Sequence, residues 1–361
     1  MRTSDFDFTF PENLIADEPL PRGEARMLVA DRAGGEFHFT QAKALADYLA
    51  PGDVLVLNDT KVLRARLVGE TPMGQKAEVL LLGPRGGEDA PPGEGGGAGD
   101  AGVMRWEAMV KPAKRFRIGD RVTFSPRLTG RVTGIFDGGT RLLDFDLGPE
   151  EFHRELEVTG QIPLPPYIRR EARPGDDLAY QSVFAAKPGS VAAPTASLHL
   201  SESLLAGIAA KGVDIIKLTL HVGAGTFKPV QSDDLEGHVM HAEIYDMPAS
   251  TAEALNAARA RGGRIWAVGT TVARVLETCA QSEGPFQAAS GETRIFIKPG
   301  YVWKAVDGLL TNFHWPKSTL FMLVCSLLGP ERAKQAYAEA FARGFRIFSY
   351  GDAMLVVGRP G

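Results

Sequence analysis

Side chains that can move protons are concentrated in the second half of the sequence, directly after stretches typical of strands. Five of the seven histidines fall between Ala193 and His314: His199, His221, His238, His241 and His314. An imidazole titrates near neutral pH, so it can act as a general acid or base. The residue types predict an active site built mainly from the strand-end loops 193–199 and 221–227.

Other loops carry groups that could hold a ligand. In the run His221-Val-Gly-Ala-Gly-Thr-Phe227, the backbone at Gly223 and Gly225 can approach a ligand closely, although a tight loop that only turns the chain fits equally well. Thr270 and Thr271 join a strand to a helix start, where free N–H groups favour an anion such as a carboxylate. A plain threonine N-cap is the alternative there. Residues 348–352 add a hydroxyl and the carboxylate of Asp352.

The residue types do not favour a metal site. His238, His241 and Glu243 are ligand types, and the His-x-Glu spacing is shared with zinc deaminases. That signature also requires a Pro-Cys-x-x-Cys run, whereas the two cysteines here, Cys279 and Cys325, are far apart. We therefore expect no metal cofactor.

Composition limits the remaining classes. A length of 361 residues fits two domains, and 44% hydrophobic residues suffice for a core. The net charge of −4 argues against a general polyanion binder. Two basic clusters could still hold RNA locally: Lys111, Lys114, Arg115, Arg117 and Arg121, then Arg169, Arg170 and Arg173. The N-terminus lacks an apolar signal core and residues 320–328 are too short to span a bilayer, so we expect a cytoplasmic protein.

The pattern of elements predicts two domains, one of them discontinuous. Residues 1–62 and 149–361 alternate strands with helices and form a large α/β domain, with ligands at the carboxyl ends of a largely parallel sheet. Residues 63–148 contain six short alternating strands typical of a small all-β, barrel-like domain, interrupted by a flexible Gly/Pro loop at 83–102.

Some local features of the α/β part are predicted individually. Residues 41–49 should be helical, Ser201 should cap a helix, and a capping box at Ser250–Glu253 should open another. Residues 294–297 and 346–349 are expected to be strands.

Longer runs spread over nearly the whole chain resemble the S-adenosylmethionine:tRNA ribosyltransferase-isomerases of queuosine biosynthesis, the QueA-type enzymes. In the second half these are residues 164–168, 180–184, 187–196, 220–227, 268–271, 311–314 and 348–354. The first half matches at residues 5–6, 14–16, 52–56 and 58–66. The chain departs from the family pattern at Ser197, Leu200, Val272 and Trp315.

The resemblance implies an α/β domain with an inserted β-barrel and a specific reaction. The ribosyl part of S-adenosylmethionine moves to the aminomethyl group of 7-aminomethyl-7-deazaguanine at the tRNA wobble position, giving epoxyqueuosine and releasing adenine and methionine. A monomer that needs no metal is expected. The rival functions are an S-adenosylmethionine-dependent RNA methyltransferase and a non-catalytic tRNA-binding protein.

The resemblance also suggests a role for each candidate residue. We expect His221 and His314 to share the proton transfers, assisted by His199 or Asp352. Thr270 and Thr271 would bind the methionine carboxylate, and an aromatic face would meet the sulfonium. The other cofactor-binding candidates are Thr195, Gly223, Gly225, Thr226, Phe227, Phe313 and Tyr350. Arg64, Arg66 and the two basic clusters would contact the anticodon stem-loop.

Overall fold

The structure is a computed structural model that describes residues 1–85, 98–99, 103–136, 139–223, 234–238, 240–281 and 284–358. Its strands are β1 (Arg26–Asp31), β2 (His38–Gln41), β3 (Val54–Asn58), β4 (Thr60–Val62), β5 (Arg66–Glu70), β6 (Lys76–Pro84), β7 (Ala98–Gly99), β8 (Val103–Lys111), β9 (Arg121–Ser125), β10 (Leu128–Ile135), β11 (Arg141–Phe145), β12 (Lys187–Ser190), β13 (Asp214–Leu220), β14 (Glu243–Met247), β15 (Ile265–Val268), β16 (Ala289–Thr293), β17 (Gly308–Asn312) and β18 (Ala353–Val357). The α-helices are α1 (Leu45–Tyr48), α2 (Pro149–Thr159), α3 (Asp176–Ala179), α4 (Glu202–Ala210), α5 (Ala249–Ala260), α6 (Thr270–Cys279), α7 (Thr319–Leu328) and α8 (Pro330–Ala342). Short 3-10 turns include Thr195–His199 and Ala113–Arg115.

The large α/β domain is built on a mixed sheet with the strand order β16-β14-β13-β3-β15-β17-β18-β1-β2. The central strands β13, β3, β15 and β17 are parallel, whereas β18 runs antiparallel to β17. The prediction of a largely parallel sheet was therefore wrong at the sheet's outer parts. Two consecutive helices, α7 and α8, return the chain to the edge where β17 ended. Residues 348–352 consequently lie at the carboxyl ends of the parallel strands.

Both faces of this sheet are covered, because alternate side chains of a strand point to opposite faces. On β3, Val54 and Val56 belong to one buried cluster, which also contains apolar residues of α5, α6, α7 and α8. Leu55 and Leu57 belong to a second cluster, which contains Ile208 of α4. A strand buried on both faces is held rigidly, so the groups at its end have defined positions.

The inserted domain is a closed antiparallel barrel, as predicted. Its strands follow the order β11-β10-β9-β5-β6-β8, and β8 pairs again with β11. Helix α2 packs on this barrel: Phe152 and Leu156 lie in the barrel core, with the Phe152 ring 4.9 Å from the Phe145 ring. The predicted domain boundary placed α2, within residues 149–361, in the second part of the large domain.

Several local predictions differ from the structure. Residues 41–49 form a 3-10 turn and the single turn α1 instead of one helix. Residues 294–297 are not a strand, since the strand that pairs with β14 is β16, which ends at Thr293. Residues 346–349 form only an isolated bridge between Ile347 and Ile15.

The predicted helix caps have opposite outcomes. Ser201 caps α4 by accepting from Leu204 N at 3.1 Å, as predicted. The prediction of a capping box at Ser250–Glu253 is wrong, because α5 begins at Ala249 with Pro248 at its N-cap. The hydroxyl of Thr251 donates to Lys217 O on β13 instead.

Membrane spans and metal clusters are both absent from the described residues. None of the described helices has the length and apolar character needed to cross a membrane. Among the same residues, no three His, Cys, Asp or Glu side chains are grouped as metal ligands would be.

Candidate active site

A cavity opens at the carboxyl ends of β15 and β17, where open α/β sheets bind ligands. Together with the part open to solvent, it encloses about 670 Å³. Its walls come from the Thr195–His199 turn, the start of α6 and the segment after β17. The lining residues are Tyr167, Ala192, Ala193, Pro194, Thr195, Ala196, Val222, Gly269, Thr270, Thr271, Thr311, Asn312, Phe313, His314, Trp315, Ser318, Leu320, Phe348 and Ser349.

His221 is held by a chain of buried hydroxyl groups beside this cavity. Its Nδ1 lies 2.8 Å from Thr60 Oγ1, which lies 2.8 Å from Ser190 Oγ. Ser190 Oγ also accepts from Val222 N at 2.8 Å. Burial lowers the pKa of His221; Asp59 raises it and Lys187 lowers it further. The imidazole is therefore neutral at pH 7.

The hydroxyl chain selects one tautomer of His221. Thr60 and Ser190 are fully buried, so each hydroxyl proton needs an acceptor. If Ser190 donates to Thr60 and Thr60 donates to His221 Nδ1, both protons are satisfied. The opposite direction leaves the Ser190 proton without an acceptor in the described part of the chain, at a cost of about 1–3 kcal/mol. Nδ1 is thus the acceptor, and Nε2 carries the proton.

Two further features fix the His221 loop. A Cβ at Gly189 on β12 would lie 2.5 Å from His221 Nδ1, so only glycine lets the ring sit there. Asn58, at the end of β3, accepts from Leu220 N at 3.0 Å and donates to Leu220 O at 2.9 Å. Its amide also reaches Thr271 Oγ1 at 3.3 Å, so Asn58 ties β13 to α6.

His314 lines the cavity and is bonded in the same manner, whereas His221 is not among the lining residues. Its Nε2 lies 2.8 Å from the hydroxyl of Thr311, and its backbone N donates to the Tyr337 hydroxyl at 3.1 Å. Thr311 is buried, and His314 is its hydroxyl's acceptor among the described residues. Burial lowers the pKa of His314 to about 3. His314 is neutral, with Nε2 as acceptor and Nδ1 as the free donor.

The start of α6 faces the cavity through Gly269, Thr270 and Thr271. The N-cap is Gly269 with φ 91°, so Thr270 is the first helical residue and the alternative of a threonine N-cap does not hold. The free N–H groups of this first turn and the helix dipole favour an anion in the cavity.

An aromatic group that was not among the sequence predictions forms one wall. The rings of Trp315 and Phe348 stack at 4.0 Å, and Tyr167 lies 4.9 Å from Phe348. The Tyr167 hydroxyl hydrogen-bonds with the Ser349 hydroxyl. The sequence contains a hint of this aromatic wall, since Trp315 follows His314 and Tyr167 ends a proline-rich link. Neither residue belongs to a helical or strand pattern, so the sequence did not show that the two rings lie together.

Other predicted residues lie away from the cavity or in its walls with their side chains engaged. The Phe313 ring is 0% exposed and packs 4.9 Å from Tyr337. Asp352 is 0% exposed and forms an ion pair with Arg26 at 2.8 Å, while accepting from Arg346 N at 2.8 Å. His199 and Tyr350 line a second cavity. Gly223 N donates to Glu243 Oε1 at 3.3 Å. Gly225, Thr226 and Phe227 lie outside the described residues.

The residues predicted to contact tRNA fall into two groups: some pair with carboxylates of this chain, and others form no ion pair within the described residues. Arg64 pairs with Asp177, Arg66 with Glu78 and Arg173 with Glu18. Arg170 makes two bonds to Asp176, at 2.7 and 2.9 Å. Arg169 is exposed. Within the described residues, no ion pair involves the barrel cluster Lys111, Lys114, Arg115, Arg117 and Arg121.

A buried arginine supports the barrel cluster. The Arg141 guanidinium donates to Phe116 O at 2.7 Å and to Ala113 O at 3.2 Å, which fixes the turn that carries Lys114 and Arg115. The turn therefore presents its cations in a fixed arrangement on the barrel surface.

Fold and site define an α/β enzyme with an inserted β-barrel, whose cavity is lined by His314 and by Val222, the residue after His221. The family model described as "Queuosine biosynthesis protein" matches residues 3–356, so the chain belongs to this family.

Curated relatives and a solved structure agree with this assignment. Proteins named S-adenosylmethionine:tRNA ribosyltransferase-isomerase from Anaeromyxobacter sp. (strain Fw109-5) and Gloeobacter violaceus are 48% and 46% identical. The alignments cover 99% and 98% of this chain and 99% and 96% of those proteins. The crystal structure of S-adenosylmethionine tRNA ribosyltransferase from Thermotoga maritima is 32% identical, with a TM-score of 0.55, and covers 98% of this chain and 100% of that one.

Proposed function

We propose that this protein transfers the ribosyl moiety of S-adenosylmethionine to 7-aminomethyl-7-deazaguanine at the tRNA wobble position, forming epoxyqueuosine and releasing adenine and methionine. The observation that carries the proposal is the cavity lined by His314 and Val222, the residue after His221, in a chain whose full-length relatives bear that activity in their name. Methyl transfer and non-catalytic tRNA binding, the two rivals, have no comparable support.

The histidines supply hydrogen-bond donors to the leaving group. Adenine departs more readily when one of its ring nitrogens receives a proton or a hydrogen bond. The tautomers place a free N–H at His221 Nε2 and at His314 Nδ1, and both rings are neutral at pH 7. We assign one of them to the adenine nitrogen. The attacking amine must be neutral, and the low polarity of the site favours that form.

The walls of the cavity suit the remaining parts of S-adenosylmethionine. Tyr167, Trp315 and Phe348 offer aromatic faces to the sulfonium or to a purine ring. Thr195 would contact the nucleoside, and the first turn of α6, with Thr270 and Thr271, offers N–H groups to an oxygen of the substrate.

The tRNA would bind along the barrel and offer an unpaired base to the cavity. The unpaired cations of the barrel cluster are the strongest candidates for its phosphates, with Arg169 as an additional contact. Arg64, Arg66 and Arg170 would need to exchange a carboxylate for a phosphate, so we assign them a secondary role. We further propose that the enzyme works as a cytoplasmic monomer without a metal cofactor.

Product analysis tests the proposal directly. Purified protein is incubated with S-adenosylmethionine and tRNA carrying 7-aminomethyl-7-deazaguanine, and nucleobases and nucleosides are quantified. We expect one adenine per modified tRNA. Release of S-adenosylhomocysteine would support the methyltransferase instead, and consumption of no S-adenosylmethionine would leave a tRNA-binding protein.

A further inference from the structure

A second cavity lies beyond Ser349, which lines both cavities. It encloses about 560 Å³, including the part open to solvent. One wall comes from the segment 19–23 near the N-terminus, another from the end of the Thr195–His199 turn, and a third from residues 349–351. The Thr195–His199 turn contributes its first residues to the first cavity and its last two to the second.

Buried polar atoms in this cavity have no protein partner. The Tyr350 hydroxyl and one terminal nitrogen of Arg346 lack a hydrogen bond within the described part of the chain. Tyr350 is only 3% exposed. Leaving such groups unbonded costs about 1–3 kcal/mol each, and native proteins rarely accept that cost without a function.

The two arginines that line the cavity lack a carboxylate partner of their own. Arg22 donates to three carbonyl groups, those of Leu198, Leu178 and Gln181. Arg346 donates to Glu18 O. Neither guanidinium makes an ion pair in the described structure. The nearby carboxylate of Asp352 is already bonded to Arg26.

The two cavities complement each other in charge. None of the described residues lining the first cavity is a lysine or arginine, and its wall is aromatic, which suits a sulfonium cation. The second cavity holds two arginines and donors that face no acceptor. An oxyanion would accept hydrogen bonds from these donors and offset one of the two positive charges.

We propose that the second cavity is a binding site for an oxyanion carried by one of the two substrates: the carboxylate of S-adenosylmethionine or a backbone phosphate of the tRNA. Arg346 and Tyr350 provide the main contacts, and Arg22 provides charge. This inference rests on the proposed function for the identity of the ligands. It gives Tyr350 a hydroxyl contact with an anion instead of a ring contact with the sulfonium.

Two variants test the site by direct binding. Tyr350→Phe removes only an unbonded hydroxyl, so the melting temperature should stay the same or rise, while the affinity for one substrate should fall about fivefold. Arg346→Gln should lower the affinity for the same ligand about tenfold or more. Arg343→Gln, which removes an exposed cation from the same part of the chain, is the matched control and should bind both ligands as the unmodified protein does.

Calorimetry with S-adenosylmethionine and fluorescence anisotropy with tRNA separate the two sources. If the site binds the carboxylate, the two variants reduce the affinity for S-adenosylmethionine alone. If it binds a phosphate, they reduce the affinity for tRNA and make the plot of log affinity against log salt concentration shallower by about one unit. If Tyr350→Phe binds both ligands within twofold of the unmodified protein, the inference is wrong, whatever Arg346→Gln does to folding. If the unmodified protein binds both ligands without releasing adenine, the proposed function fails but the binding result stands. Failure to bind either ligand contradicts both.

Discussion

His221 and His314 are each bonded through one ring nitrogen to a buried threonine hydroxyl. This arrangement determines which nitrogen carries the proton, and burial keeps both rings neutral. A histidine in this state donates a hydrogen bond but is a weak proton acceptor on its free side, since accepting there would require the hydroxyl chain to reverse. At the scale of residues, we therefore propose that neutral donors stabilise the leaving group.

Removing the middle hydroxyl of the His221 chain should lower turnover. Thr60→Val keeps the shape of the side chain but leaves Ser190 and His221 Nδ1 without their partner, at about 1–3 kcal/mol. We expect kcat to fall about 10- to 100-fold with little change in the KM for S-adenosylmethionine. Thr123→Val, in the barrel, is the control and should keep full activity. Equal kcat in both variants would remove the hydroxyl chain from the mechanism.

The buried histidines also predict how stability depends on pH. Burial lowers the pKa of His199 from 6.5 to about 4, with a counteracting contribution from Asp352. The unfolded chain therefore binds a proton near pH 6.5, whereas the folded chain does not bind it until the pH is much lower. The free energy of unfolding is highest above pH 6.5 and decreases as the pH falls below that value, by up to about 1.4 kcal/mol per pH unit for each such histidine.

Urea unfolding between pH 7.5 and pH 5 measures this dependence. His199→Gln should reduce the slope of unfolding free energy against pH, and His38→Gln, which changes an exposed histidine, should not. Parallel curves for His199→Gln and the unmodified protein would contradict a neutral buried His199.

Sequence patterns predicted some of these candidate residues but not the side chains that position them. His221, His314, Thr270 and Thr271 were predicted because histidines and threonine pairs after strands are recognisable. Thr60, Ser190 and Asn58 were missed as positioning residues, since a buried hydroxyl or amide has no periodic signature and its role depends on strands far apart in sequence. The ion pair between Asp352 and Arg26 could not be predicted from the sequence for the same reason.

At the scale of elements, the short strand β12 positions the His221 ring. It pairs with β4, which brings Ser190 beside Thr60 and leaves Gly189 against the imidazole. The sequence predicted most elements, because their apolar periods are clear. It did not predict strand direction, since direction depends on whether the intervening helices return the chain to the same edge.

A methyl group on β12 should displace the histidine. In Gly189→Ala, the new Cβ would lie 2.5 Å from His221 Nδ1, so the ring must move or the strand must shift. We expect kcat to fall at least tenfold in steady-state assays, with a modest loss of stability. Gly207→Ala on α4, where a Cβ meets nothing within 4 Å, should keep kcat and raise stability by about 0.5–1 kcal/mol. Unchanged kcat in Gly189→Ala would show that the ring position is not critical.

At the scale of the whole molecule, the barrel and the α/β domain contribute different parts of the proposed site. The α/β domain holds the cavity, and the barrel adds the barrel cluster, which forms no ion pair within the described residues. The insertion was predictable from the change of strand pattern at residue 63. The packing of α2 on the barrel was not, because an amphipathic helix does not reveal which neighbour covers it.

Neutralising the barrel cluster should weaken tRNA binding in a salt-dependent manner. Replacing Lys111, Lys114, Arg117 and Arg121 by Gln should make the plot of log affinity against log salt concentration shallower, by about 0.7–0.9 for each phosphate that the protein no longer neutralises. The control replaces four exposed cations of the α/β domain, Lys211, Arg294, Lys304 and Arg343. An equal change in both variants would place the tRNA elsewhere.

The most direct test of the proposed reaction follows two labels in a single turnover. S-adenosylmethionine carries one radiolabel in its ribose carbons and a different one in its methyl group, and is mixed with excess enzyme and tRNA containing 7-aminomethyl-7-deazaguanine. Ribosyl transfer predicts that the ribose label enters the tRNA while the methyl label leaves with methionine and adenine is set free. Methyl label in the tRNA, with the ribose label in S-adenosylhomocysteine, would contradict it.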